Sequence, residues 1–428
     1  MQLKDFIKNN LLFKMTSLNG VVMASKLVIS VFVQRLIALH LGEVGVHKIG
    51  QLRDMLNMVT TFSALGTFNG VVKHVAETKY QQKQLKNVLS TSFLLTLLGS
   101  FLVFVVLFFS SGYVSKSLFG TSAYAWVIKI MAILSPTIGI QRLFYAVASG
   151  LSVYKKIAII DFVGYLLATA CTLILLLTHH LEGVFLSIII SPIFQLIILI
   201  VLLFRFFKKR LKLSLSFDPE IVKSFMVYAM MAFVSSVLIN YISIDIRNML
   251  TNKLSETESG TWTAMTNISK NYMLFSSTLF TMYVLPKFSQ IHNVADFKKE
   301  TLYIYKTLLP IFGFGMLLLY FLRDWIVGLI FPGFDDVADL FKWQLIGDFI
   351  KLASWILSYQ FFAKRLFKYF IFTEMLSLII FYLLANYFVD IFGVEGVVIA
   401  DMMRYFIYFI AVLLCVVHYF KQQKKNII

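Results

Sequence analysis

Apolar runs of about 20 residues, the length that crosses the ~30 Å hydrocarbon core of a bilayer, follow one another along this chain. The connections between them are too short to hold a folded domain. Lipid offers no hydrogen bonds to a bare backbone, so runs of this length must fold as helices. Scanning with a 20-residue window gives about twelve spans. The first six lie near 15–40, 49–72, 87–110, 123–148, 157–178 and 183–205. The second six lie near 221–249, 259–284, 303–322, 339–362, 369–389 and 395–418. The reading is an all-α polytopic membrane protein, with the first span a retained helix, not a cleaved signal. Composition agrees: 59% of the 428 residues are hydrophobic and only 14% charged, against roughly 25% charged in soluble chains.

The longest internal connection is also the most basic, with Lys208, Lys209, Arg210 and Lys212. It divides the chain into an N-terminal six-helix bundle (1–206), a cytoplasmic linker (207–220) and a C-terminal six-helix bundle (221–428). Lys and Arg counted over alternate loops fall very unevenly. One side, which includes both termini, holds roughly two dozen, and the other about four, so both termini are placed in the cytoplasm. The net charge of +17 then reflects topology and attraction to anionic headgroups. It does not point to nucleic acid.

Charged residues also lie inside the spans. A charge at the bilayer centre costs at least ~2.5–3.5 kcal/mol, so each needs a partner or a wet cavity. Cations outnumber acids, which points to a cationic interior and an anionic passenger. The polar residues recur at helical spacing. Stripes run through Lys26, Ser30 and Gln34; Arg53, Asn57 and Thr60; Ser236, Asn240, Ser243 and Arg247; Thr263, Asn267, Lys270 and Ser277; and Gln344, Asp348, Lys351 and Ser358. For Ser, Thr and Asn, such stripes serve as hydrogen-bonding glue between helices. For Asp348–Lys351 and Asp401–Arg404, the spacing fits salt bridges. Arg142, Asp161 and Glu374 are placed near the cytoplasmic ends, within reach of the interface. The third, sixth and ninth spans lack a stripe and are the expected lipid-facing helices.

An arginine fork fits phosphate oxygens in two-point geometry. Arg35, Arg53, Arg247 and Lys270 are therefore the candidate diphosphate-binding residues. Lys26, Asn57, Asn240, Asn267, Lys342 and Lys351 are secondary candidates for lining the cavity. Asp245 and Asp348 are candidates for coupling to an ion. The sequence has no GxxxxGK[ST] loop. Its seven histidines and two cysteines show no metal spacing, and no nucleophile–base pair stands out. A transporter without metal, cofactor or catalytic residues is expected, not an enzyme.

Three segments carry a family resemblance. GTFNGVVKHVAETK (66–79), YVLPKFSQI (283–291) and FKWQLIGDFIKLASWILSYQFFAKRLFKYFIFTEM (341–375) resemble the Wzx-type lipid-linked oligosaccharide flippases. The likeness is nearest to the O-antigen translocases and the enterobacterial common antigen lipid III flippases. These belong to the wider superfamily of multidrug, oligosaccharidyl-lipid and polysaccharide exporters. The resemblance implies two six-helix bundles in a V-shaped, extruder-like (MATE-like) arrangement, working by alternating access. It implies an undecaprenyl diphosphate-linked oligosaccharide as cargo, carried from the cytoplasmic to the periplasmic leaflet of the bacterial inner membrane. The expected partners are that lipid, the surrounding membrane lipids and other polysaccharide assembly proteins, with the chain itself a monomer. A drug/ion antiporter is the alternative within the superfamily, but such pumps expel cations and so favour an anionic interior. A membrane polysaccharide polymerase or transferase is the other alternative, and it would be expected to expose a loop domain.

Overall fold

The computed structural model describes residues 11–210, 218–291 and 293–425. Of the basic linker, residues 211–217, Lys212 among them, lie outside the described residues. All regular structure among the described residues is helical. In the first half these are α1 (Leu11–Ser63), α2 (Phe68–Thr78), α3 (Gln82–Phe119), α4 (Ala125–Gly150) and α5 (Tyr154–Arg210). Then come α6 (Pro219–Ala232), α7 (Ile239–Lys253), α8 (Glu256–Leu279), α9 (Leu285–Gln290), α10 (Val294–Phe321) and α11 (Arg323–Ile330). The chain finishes with α12 (Val337–Ala363), α13 (Phe367–Phe392) and α14 (Val394–Lys425).

Eight described helical stretches are long and apolar enough to cross a membrane. Two of them are double. α1 turns at Gly42 (φ 59°) and α5 at His180 (φ 49°), each joining two spans end to end. α8 and α12 have the length as well, but their polar side chains lower their hydropathy. With them, the expected set of spans is complete. Pro136, Pro192 and Pro310 lie inside α4, α5 and α10, as membrane helices tolerate when neighbours satisfy the freed backbone. Helix starts follow local chemistry. Asp218 caps α6 by accepting from the Glu220 and Ile221 amides at 3.1 and 3.4 Å, with Pro219 in the first turn.

Two compact units emerge, one of residues 1–41 and 48–241, the other of residues 42–47 and 242–428. In the first, small residues let helices approach, as in membrane bundles generally. A Cβ on Gly99 would come within 2.6 Å of the Phe62 carbonyl oxygen, and one on Gly139 within 2.5 Å of Ser100 Oγ. Ser135 Oγ donates to the Ser100 carbonyl at 2.9 Å across the same seam. The GTFNG glycines act alike: a Cβ on Gly66 would meet Ala229 Cα at 2.9 Å and one on Gly70 would meet the Phe225 ring at 2.7 Å. α6 is thereby held in the first unit, together with His74, whose Nε2 lies 2.8 Å from Ser224 Oγ. The core there is formed by Val71, Val75, Leu85, Val88, Leu143, Val147 and Phe225.

In the second unit, the turn at Gly42 packs on the start of α8. The His47 ring lies 2.8 Å from Ser259 Oγ, and only a glycine fits at 260, where a Cβ would stand 2.3 Å from the Glu43 carbonyl oxygen. α12 is the most enclosed helix in character, with Phe341, Leu352, Ile356 and Phe361 all buried. The stripe-free ninth span, α10, lies at the other extreme, with Ile311, Phe314, Leu317 and Phe321 exposed. Phe101, Val106 and Phe109 of α3 and Val201 and Phe204 of α5 are likewise exposed. Those three spans expose apolar surface, but so do α13 and α14, through Ile379, Leu383, Phe406 and Leu414.

Candidate functional site

In the first unit, the polar face begins on α1 before its turn. Gln34 donates to Ser30 at 2.6 Å, one turn apart. Lys26 rests its ammonium over the Tyr165 ring at 5.6 Å, and the Tyr165 hydroxyl donates back to the Lys26 carbonyl at 3.3 Å. Arg35 is half-buried further along the same helix. Beyond the turn, Arg53 is half-buried beside Asp54, which is only 3% exposed. One turn later, Asn57 donates to Asn240 at 3.3 Å, and Asn240 donates to the Ser236 carbonyl at 2.6 Å. Thr61 and Ser236 pair their hydroxyls at 2.9 Å. Two stripes recognised separately in the sequence thus meet side by side.

The second unit gathers its charges more tightly. Arg247 is 2% exposed, donates through Nε to Thr263 Oγ1 at 2.9 Å, and lies over the Trp262 ring at 5.1 Å. It ties α7 to α8. Asp245 comes two residues earlier and leaves the helix on the other side, half-buried. Asn267 is half-buried and Lys270 exposed on α8.

Asp348 is fully buried and is the centre of a network. It accepts hydrogen bonds from Ser269 Oγ at 2.6 Å, from the Tyr272 hydroxyl and from Gln344 Nε2 at 3.1 Å, while Lys351 Nζ stands 3.6 Å away. Lys351 in turn lies 5.0 Å from both the Trp355 and Tyr405 rings. Arg404 pairs with Asp401 at 2.8 Å, donates to the Tyr405 hydroxyl and covers the Phe381 ring at 4.3 Å. Glu374 accepts from the Tyr408 hydroxyl at 2.6 Å.

Both pairs expected from spacing, Asp348–Lys351 and Asp401–Arg404, form. Reading Glu374, Asp161 and Arg142 as interface-seeking is corrected. Glu374 is bonded inside the bundle, Asp161 accepts from the Tyr145 hydroxyl at 2.8 Å, and Arg142 stacks on Phe68 at 3.9 Å. Lys342 and Lys351 share a helix but not a face. Nine residues at 100° each turn one half-way round from the other, and Lys342 is exposed over the Trp343 ring at 4.5 Å.

Sequence reasoning missed the tyrosines. Tyr145, Tyr272, Tyr405 and Tyr408 look like membrane aromatics, and only packing shows that each hydroxyl is the partner of a charged side chain. An acidic group at Glu43, Glu258, Asp335 and Asp336 was missed as well. Burial, and then the nearby charge of Asp336, raises the Glu258 carboxyl above the ordinary glutamate range.

Among the described residues, no group of three or more His, Cys, Asp or Glu side chains is placed to hold a metal ion. The arrangement offers charge and hydrogen bonds.

The lipid III flippase of Escherichia coli (strain K12) is 26% identical over 88% of this chain and 91% of its own length. The lipid III flippase of Shigella flexneri matches to the same extent. Among solved structures, an inward-facing multidrug resistance MATE family transporter superposes with TM-score 0.80 at 13% identity, covering 95% of this chain and 99% of that one. The lipid II flippase MurJ in an inward closed conformation gives 0.70 at 15% identity, covering 93% and 87%. These structures fix the fold as that of the MATE and MurJ transporters. The polysaccharide biosynthesis protein family matches residues 12–292, about two thirds of the sequence, and the chain belongs to that family.

Proposed function

We propose that this protein is a flippase of the bacterial inner membrane, carrying undecaprenyl diphosphate-linked oligosaccharide from the cytoplasmic to the periplasmic leaflet by alternating access. The observation that carries the reading is the sign of the accessible charge inside the spans. Lys26, Arg35 and Arg53 are half-buried and Lys270 is exposed. The acids are mostly enclosed and engaged: Asp54 and Asp348 are buried, Asp161 and Glu374 accept from tyrosines, and Asp401 pairs with Arg404. A surface of that sign favours an anionic head and disfavours a cationic drug. The lipid III flippase relatives support the same cargo class.

In this reading Arg35 and Arg53 are the diphosphate-binding candidates of the first unit and Lys270 that of the second, and Arg247 holds α7 against α8 while lending its charge. Both termini face the cytoplasm. A head carrying about two negative charges gains ~4–5 kcal/mol per 100 mV on moving outward, so the membrane potential drives export. Asp348, bonded to Ser269, Tyr272 and Gln344 beside Lys351, and the half-buried Asp245 are the candidates for coupling to an ion. The test is reconstitution in vesicles with a fluorescent polyprenyl diphosphate oligosaccharide. Flipping that accelerates with an inside-negative potential supports the reading. Equal flipping of a cationic drug, or none of the lipid, sinks it.

A further inference from the structure

α10 and α14 both pack on α12 and leave a groove of about 690 Å³ between them. Its walls are apolar except at one end, where Lys298 of α10 and Lys421 of α14 stand at the mouth, both exposed. The helices run antiparallel, so these two ammonium groups come from opposite ends of their helices to one level. Leu357 of α12 lies in the floor. Tyr305 also lines the groove, but its hydroxyl is occupied, donating to the Ala353 carbonyl at 2.8 Å. Thr301 is different. It lines the groove, is only 8% exposed, and its Oγ1 is buried without a hydrogen-bond partner. A buried unsatisfied hydroxyl is costly. Here it sits about one helical turn deeper than Lys298, where the ester region of a lipid would lie.

We propose that this groove binds one anionic glycerophospholipid from the leaflet on the Lys298 side, with phosphate between Lys298 and Lys421, an acyl chain along the apolar floor, and the Thr301 hydroxyl turned about its Cα–Cβ bond to meet an ester oxygen. The depth selects this occupant. From Lys421 to Phe409, the deepest residue of α14 in the groove, twelve residues rise ~18 Å. That is little more than half the ~30 Å core. A single acyl chain fits this depth; a chain of undecaprenyl length does not. The site requires only that α10 and α14 span the membrane, and so stands apart from the flippase reading.

Native mass spectrometry of the full-length protein, released from detergent with phosphatidylglycerol or phosphatidylethanolamine added, tests it. Two lysines near a headgroup predict a preference for phosphatidylglycerol on the order of 30-fold. Lys298→Gln with Lys421→Gln should remove the preference, whereas Lys83→Gln with Lys155→Gln should leave it. Leu413→Trp, which fills the groove and keeps both charges, should expel the lipid. Monodisperse elution and unchanged circular dichroism of each variant separate loss of lipid from loss of fold. Equal retention of the two lipids by the unaltered protein overturns the proposal. Displacement of phosphatidylglycerol by equimolar undecaprenyl phosphate overturns it too, and hands the groove to the cargo lipid.

Discussion

The two units treat intramembrane charge in opposite ways. In the first, Lys26, Arg35 and Arg53 are spread along one helix, against a tyrosine ring in the case of Lys26, and remain half-buried. In the second, Asp348, Lys351, Asp401, Arg404 and Glu374 are condensed into one network spread over α12, α13 and α14, with Ser269 and Tyr272 reaching in from α8. Spread cations keep part of their hydration and remain able to exchange it for a ligand. Condensed charges have already exchanged water for protein, so their effect falls on structure and on the protonation balance. Charge of one sign held open suits recognition; charge of mixed sign held closed suits a joint that must stay intact or switch as a whole.

The sharpest break in that contrast is Asp348→Ala. It takes from the half-buried Lys351 its partner at 3.6 Å, and loss of one member of a fully buried pair costs about 3–5 kcal/mol, the upper bound here. A large drop in the thermal unfolding midpoint in detergent is expected, and an unchanged midpoint would show the network to be ornamental. Arg53→Ala should do the reverse. Stability stays near that of the unaltered protein while lipid flipping falls about 10- to 100-fold, the scale of one lost charge-assisted hydrogen bond at ~1.5–3 kcal/mol. Arg53→Lys should recover only part of this, because the fork is gone. Arg53→Ala that unfolds the protein would erase the distinction between the units.

A smaller effect belongs to the neutral contacts. A double-mutant cycle on Asn57→Ala and Asn240→Ala should return a coupling near ~0.6 kcal/mol, typical of hydrogen bonds between membrane helices. A value several times larger would place this contact with the condensed network in importance. The smallest effect lies at Glu258, outside the membrane spans and facing Asp336, with Glu43 and Asp335 close by. Its raised pKa means that the folded state binds the proton more tightly than the unfolded chain does. Its contribution is therefore fully present below the unfolded value of about 4.3, and is lost as pH rises through the higher folded value. Glu258→Gln should flatten the decline in unfolding midpoint from pH 4 to 7; a decline that persists unchanged assigns it to other groups.

Much of the fold was legible because lipid imposes a length. Spans such as α3 are long runs without a charge, and even the polar α8 and α12 were bracketed by their neighbours. The turns at Gly42 and His180 were legible only as short connections, since nothing in LHLGEVG or THHLEG fixes a dihedral. The pairs Asp348–Lys351 and Asp401–Arg404 could be read because they lie three residues apart on one helix. That Glu374 and Tyr408 meet could not, because helix spacing says nothing of which neighbour a face will meet. The close approach of α6 to Gly66 and Gly70 was visible only as two small residues, without the partner that makes them necessary.

Two π-helical turns, Phe233–Leu238 between α6 and α7 and Phe280–Val284 between α8 and α9, interrupt helices that are otherwise α. Each turn is wound wider than the α-helix around it, closing i→i+5 bonds in place of i→i+4. One extra residue advances the helix by about 100° of rotation, so such a turn is a phase shift written into the rod. On one side of the first shift, Phe225 and Ala229 are clocked toward Gly70 and Gly66; on the other, Asn240 is clocked toward Asn57. Deleting a single residue from 233–238 would restore a regular α-helix and swing one of these two faces off its target. The chain here keeps time by an irregularity.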